Sequence, residues 1–133
     1  MTQVFADTVY FLALLNASDQ CHARARALSL NPPGGLLTSE FVLMEVGDAL
    51  SRPADRPRFA AMLQLLRRQA DVEIVPASKH LFAEGCQLHA ERPDKDWSLT
   101  DCTSFIVMRG HAVGAALTSD RHFVQAGFRV LMV

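Results

Sequence analysis

Short apolar segments and amphipathic segments of helical spacing alternate along this whole chain, and that alternation restricts what it can fold into. The apolar stretches predict strands at Gln3 to Ala6, Leu36 to Thr38, Val72 to Val75, Gly114 to Thr118 and Phe128 to Val133. Helices are expected between them. The first covers Thr8 to Leu15, and the second runs from a cap at Asp19 to about Leu30. The third runs from a cap at Ser39 through Leu50, with Val42, Val46 and Ala49 on one face, and Pro53 stops it. Phe59, Met62 or Leu63, Leu66 and Ala70 recur at helical spacing and mark Asp55 to Ala70. The last three are Ser78 to Glu91, Ser98 to about Arg109, and Arg121 to Ala126, which Gly127 ends. Strands separated by helices need crossover connections. The expectation is therefore an α/β chain with a central, mostly parallel, five-stranded sheet covered on both faces, a three-layer α/β/α arrangement. With 133 residues, one domain over 1–133 is expected.

Half the residues are apolar and a fifth charged, which supports a buried core and excludes a disordered chain. Thirteen Lys and Arg face fourteen Asp and Glu, for a net charge of −1. That excludes a broadly basic nucleic-acid binder but leaves room for a local basic rim. Unbroken apolar runs such as Phe11 to Leu15 are too short to span a membrane. The segment Met1 to Asp7 has no basic start and reaches a charge at its seventh residue, so no signal peptide is expected. Cys21, Cys86 and Cys102 are widely spaced and form no Cys-x-x-Cys pair. They suit reduced thiols in the cytoplasm better than a disulfide frame or a zinc site.

Ligands of parallel sheets bind beyond the carboxyl ends of the strands, near the point where strand order reverses. Four acids fall at such places. Asp7 directly follows the first strand, Asp120 follows the fourth, Asp101 lies in the first turn of the helix opened by Ser98, and Glu45 lies inside the helix after the second strand. Each has a plain alternative: a turn or cap for Asp7 and Asp120, a capping box with Ser98 for Asp101, and a surface position for Glu45. Taken together they ask for a cation. Two carboxylates about 5 Å apart repel by roughly 3 kcal/mol at an effective dielectric of about 20. Hard oxygen ligands suit Mg2+ or Mn2+ rather than zinc. Such ions activate water and stabilise phosphoryl oxygens, which makes phosphodiester hydrolysis a candidate reaction.

Val4-Phe5-Ala6-Asp7-Thr8, Leu37 to Glu45, Asp94 to Phe105 and Leu117 to Phe128 carry a resemblance that covers nearly the whole chain. The sequence resembles the PIN-domain ribonucleases, most of all the VapC-type toxins of bacterial toxin–antitoxin pairs. The resemblance implies the PIN-like fold. It implies that Asp7, Glu45, Asp101 and Asp120 bind one or two divalent ions, with Asp7 and Asp101 as the firmest ligands. It implies cleavage of RNA, a homodimer and a cognate antitoxin protein. Thr8 would support the turn at Asp7, and Thr100 and Ser119 would orient acids or simply cap and turn. Asp96 would either add a carboxylate near the site or pair with Lys95 or an arginine.

Arg52, Arg121 and His122 are the candidate RNA contacts, with Arg56, Arg58, Arg67 and Arg68 either adding to them or forming a solvated face. Trp97 either stacks on a base or staples its helix to the core. A dehalogenase-type phosphatase would need an acid where Val9 stands. A receiver domain would need a Lys in the final stretch Phe128 to Val133, which has none. The alternative to a nuclease is a non-catalytic PIN-like module that binds RNA or protein.

Overall fold

The computed structural model describes residues 2–133; Met1, the first residue of the N-terminal segment considered above, lies outside them. Among the described residues five strands form one sheet: β1 (Gln3–Ala6), β2 (Gly35–Ser39), β3 (Val72–Val75), β4 (Ala115–Leu117) and β5 (Arg129–Val130). The helices are α1 (Thr8–Leu15), α2 (His22–Leu30), α3 (Glu40–Ala49), α4 (Arg56–Arg68), α5 (Lys79–Glu91), α6 (Leu99–Gly110) and α7 (Arg121–Gln125). The strand order is β3-β2-β1-β4-β5 and every pairing is parallel. The chain moves outward from β1 in one direction through β2 and β3, then returns and moves outward in the other through β4 and β5. Right-handed crossovers on the two sides of β1 therefore lie on opposite faces of the sheet, as expected for three layers. Strand order reverses between β1 and β4, so the ligand crevice belongs there. None of the described helices is long and apolar enough to cross a membrane.

Local sequence explains most of the element ends. Ser39 caps α3 by accepting from the Val42 amide, and Ser78 caps α5 by accepting from Leu81. Ser98 and Asp101 form a full capping box at the start of α6. Gly127, at φ 96°, closes α7: its amide donates to the Val124 carbonyl and the Phe128 amide to the Phe123 carbonyl, the two bonds of a Schellman end. Two expectations are corrected. Asp19 does not cap α2; its carboxylate accepts from the Cys21 amide in a turn, and the helix starts at His22 with Cys21 at the N-cap, two residues beyond Asp19. The final strand is only two residues long, although Leu131 and Met132 still donate to the Ala116 and Thr118 carbonyls. Its one neighbour, β4, is itself only three residues long; beyond Val130 the Met132 side chain is buried while Val133 is exposed.

A string of aromatic rings holds the parts that carry the acids. Phe5 of β1 meets Phe123 of α7 at 6.4 Å, Phe123 meets Phe105 of α6 edge-on at 5.0 Å, and Phe105 meets Trp97 edge-on at 5.0 Å. All four rings are buried. The Trp97 indole N–H donates to Gln125 Oε1 at 3.0 Å, so this ring is a staple and presents no face for a base. Gly85 lets α5 lie close against α6, since a Cβ there would meet Thr103 Cγ2 at 2.6 Å.

Candidate metal centre

The carboxyl-terminal edge of the sheet gathers three of the four acids. Asp7 ends β1 and is the N-cap of α1; Asp120 follows β4 and is the N-cap of α7; Asp101 sits in the first turn of α6. Asp7 and Asp101 are 4% and 8% exposed, which is rare for carboxylates without a cationic partner. Among the described residues no Lys or Arg forms an ion pair with any of the three.

Hydrogen bonds link them. Thr118, fully buried, donates its hydroxyl to Asp7 Oδ2 at 2.9 Å and accepts from the Asp120 amide at 3.1 Å. Asp101 Oδ2 accepts from the Ser98 amide and faces His122 Nδ1, each at 3.0 Å. Asp120 Oδ1 accepts from the His122 amide at 2.9 Å. Carboxylate oxygens of Asp101 and Asp120 and a ring nitrogen of His122 all lie within 4.8 Å of one another. Protein donors thus hold one oxygen of each aspartate and leave the other, Oδ1 of Asp7, Oδ1 of Asp101 and Oδ2 of Asp120, free of side-chain donors.

The electrostatics follow from burial. The Asp7 carboxyl is pushed up to about 7 from 3.8, first by its removal from water and then by the neighbouring Asp101 and Asp120 charges; the Thr118 hydroxyl and the Thr8 amide pull it back only in part. Burial also raises Asp101, with Asp120 adding to the shift and the Ser98 amide and His122 opposing it. The next residue, Cys102, has its thiol raised by burial and by Asp101, which suits an inert reduced cysteine. Three converging carboxylates, each with one oxygen free of side-chain donors and no Lys or Arg paired to them among the described residues, are the donor set that a hard divalent ion takes. The residues present therefore fit such an ion.

Among the described residues the remaining site candidates share no side-chain hydrogen bond or ion pair with this network. Glu45 is exposed on α3 and, among the described residues, has no hydrogen bond or ion pair and is not joined to the three aspartates. Arg52 and Arg121 are exposed with unengaged side chains, whereas Arg56 donates to the Ser51 carbonyl and Arg58 pairs with Asp55. Arg67 and Arg68 lie exposed on α4, and Asp96 is exposed without a partner, Arg92 having paired with Asp94 instead. The Thr8 hydroxyl is buried and unbonded, so it is the amide of Thr8 that acts on Asp7. Ser119 does not orient the acids; Thr118 does. A signal for that was present: a Thr two residues before an Asp can accept the Asp amide in a turn, which leaves its own proton for a neighbour. The contact of His122 with Asp101 had no such local sign, because it joins α7 to α6.

Comparison with known proteins bears on the family and the fold. Residues 4–129 match the family model of the PIN domain. The chain is 30% identical to the 23S rRNA-specific endonuclease VapC20 of Mycobacterium tuberculosis, over 94% of this chain and 95% of that protein. The crystal structure of VapC20, described as a Sarcin-Ricin loop cleaving toxin, superposes with a TM-score of 0.83. The fold alone is shared with FitAcB of Neisseria gonorrhoeae, at 16% identity, 96% coverage of both chains and a TM-score of 0.67. It is also shared with VapBC2 of Rickettsia felis bound to a promoter DNA fragment, at 14% identity, 97% coverage of both chains and a TM-score of 0.67.

Proposed function

This chain belongs to the PIN-domain family, and from that premise we propose that residues 1–133 are a single-domain, divalent-metal-dependent endoribonuclease acting as the toxin of a type II toxin–antitoxin pair. The observation that carries the proposal is the convergence of Asp7, Asp101 and Asp120, largely withdrawn from water and, among the described residues, without a Lys or Arg partner, at the point where strand order reverses. Asp7, Asp101 and Asp120 are the metal ligands and catalytic residues. Glu45, exposed and unpaired on α3, completes the set from its flexible side chain or through water. A bound Mg2+ or Mn2+ would supply activation of water and stabilisation of the phosphoryl oxygens. The protein's own share is positional: Thr118 ties Asp7 to the backbone at Asp120, and the capping box fixes Asp101. The unengaged Arg52 and Arg121 contact phosphates and set the strand in place without reading its sequence.

The likeness to a 23S rRNA-specific endonuclease makes ribosomal RNA the first substrate to try. A cognate antitoxin, a homodimer and a cytoplasmic location complete the proposal. The test is incubation of the purified chain with ribosomes and with total RNA in Mg2+ or Mn2+, followed by mapping of new RNA ends. Defined new ends that vanish with EDTA and in Asp101→Asn support the nuclease. Intact RNA in both ions, with tight binding retained, supports the non-catalytic module.

A further inference from the structure

His122 is built into the metal centre twice. Its backbone amide donates to Asp120 Oδ1 at 2.9 Å, and its ring Nδ1 lies 3.0 Å from Asp101 Oδ2 and 3.5 Å from Asp120 Oδ1. The side chain is only 22% exposed. Its direction is set by its neighbour Phe123, fully buried between Phe5 and Phe105, and by the closed end of α7 at Gly127. An ionised carboxylate offers only acceptors, so in this contact Nδ1 carries the proton. A protonated ring nitrogen has no lone pair to give a cation. What it does is hold a carboxylate: Asp101 Oδ2 takes both the Ser98 amide and Nδ1–H, which fixes the carboxylate's rotation and leaves Oδ1 as the ligand atom.

Resting on the nuclease proposal above, we infer that His122 is a positioning residue of the metal centre, acting through Nδ1 on Asp101, rather than an RNA contact acting through Nε2. Hydrogen-bond partners behind ligating groups tune metal affinity, and their loss weakens binding about 10- to 100-fold. The two nitrogens can be told apart by substitution. Asn places its amide nitrogen as many bonds from the backbone as Nδ1 lies, and Gln places its own at the distance of Nε2. The backbone bond to Asp120 survives any side chain here, whereas the ring's 3.5 Å approach to Asp120 Oδ1 does not.

The experiment is calorimetric titration of Mn2+ into the full metal-free chain as wild type, His122→Ala, His122→Asn and His122→Gln, with the metal-free melting temperature of each as the check on folding. The expected result is that Ala and Gln weaken Mn2+ binding about tenfold or more while Asn stays within about threefold of wild type, at nearly equal melting temperatures. In the wild type, nitrogen-15 spectra of the histidine ring should show the proton on Nδ1. Equal Mn2+ affinity in all four proteins, or retention by Gln and loss by Asn, overturns the inference and leaves the nuclease proposal standing. Absence of saturable Mn2+ binding in the wild type overturns the metal centre and the inference with it.

Discussion

Toward each end of the sheet a histidine touches a carboxylate, at almost the same distance and with opposite consequence. Near the amino ends of the strands, His111 Nε2 lies 3.1 Å from Glu73 Oε2, and Gln3 donates to the other oxygen at 3.0 Å. Glu73 is half-exposed, and these two bonds lower its pKa below the ordinary glutamate value. At the carboxyl edge, His122 Nδ1 lies 3.0 Å from Asp101, yet burial raises Asp101 in spite of it, and Asp7 behind it rises to about 7. One contact type thus helps lower a carboxyl that stays in water and fails to offset the burial of a group of three carboxylates out of it. The difference is solvent and charge count rather than geometry. A solvated pair is a finished structure, whereas the carboxyl edge is short of positive charge until something supplies it.

Neutralising Asp7 should show the largest effect. Its folded pKa, about 7, stands above the unfolded value of 3.8, so the metal-free fold binds the extra proton. Stability from that proton is complete below 3.8 and is lost as pH rises through 7; the full difference is about 4 kcal/mol. Asp7→Asn keeps an acceptor for Thr118 and removes the charge. In EDTA at pH 8 it should therefore be more stable than wild type by up to about 4 kcal/mol in denaturant melts, and the two should converge near pH 4. The same variant should lose RNA cleavage by at least about 100-fold. Greater stability with lost activity is the signature of an unbalanced metal ligand; a loss of both would mean that Asp7 is only a cap.

Adding the cation should come next in size. At a hundredfold excess over its dissociation constant, an ion that binds only the folded chain stabilises it by about 2.7 kcal/mol. Mn2+ should raise the wild-type melting temperature accordingly, and Asp101→Asn should abolish most of the rise. A rise of equal size in Asp101→Asn would place the ion elsewhere.

Thr118 tests whether the carboxyl edge is organised as well as charged. Thr118→Val keeps the shape, leaves Asp7 without its hydroxyl donor and leaves the Asp120 amide without its acceptor. A cost of about 1–3 kcal/mol is expected, with Asp7 driven further up and the fall in stability moved to higher pH. Thr118→Ser should recover both, and failure of Ser to do so would assign the loss to packing.

The contrast between the two ends also explains what could be read without coordinates. The five strands were legible because an all-parallel sheet buries both faces and its strands read as apolar runs. Asp7, Asp120 and the Ser98–Asp101 box were legible because each is bound to the end of an element. Thr118 was not, since its hydroxyl matters only once β4 lies beside β1, 111 residues away in the chain. His122 is next to Asp120 in sequence, but its ring finds Asp101 on another helix. The length of β5 was misread because Leu131 to Val133 has the composition of a strand without a neighbour long enough to pair all of it. Glu45 is legible from its place on the helix after the second strand and through the family resemblance, but α3 gives its carboxylate no local bond that would fix a role.

The smallest effect is expected at the amino end, and it makes that end the control. Glu73→Gln removes the charge and keeps one acceptor oxygen, its amide N–H2 standing where the second oxygen was. Because the folded pKa of Glu73 is lowered, its contribution is present above the unfolded value and fades as pH falls through the folded one. Exposed pairs of this kind are worth about 0–1 kcal/mol. Glu73→Gln should therefore melt within that range of wild type at neutral pH, with a difference that shrinks further in acid and in high salt. RNA cleavage and the Mn2+-induced rise should be unchanged. A Mn2+ rise that fell with Glu73→Gln would erase the distinction between the two ends, because the ion would then be bound on the side of the sheet where the charges are already balanced.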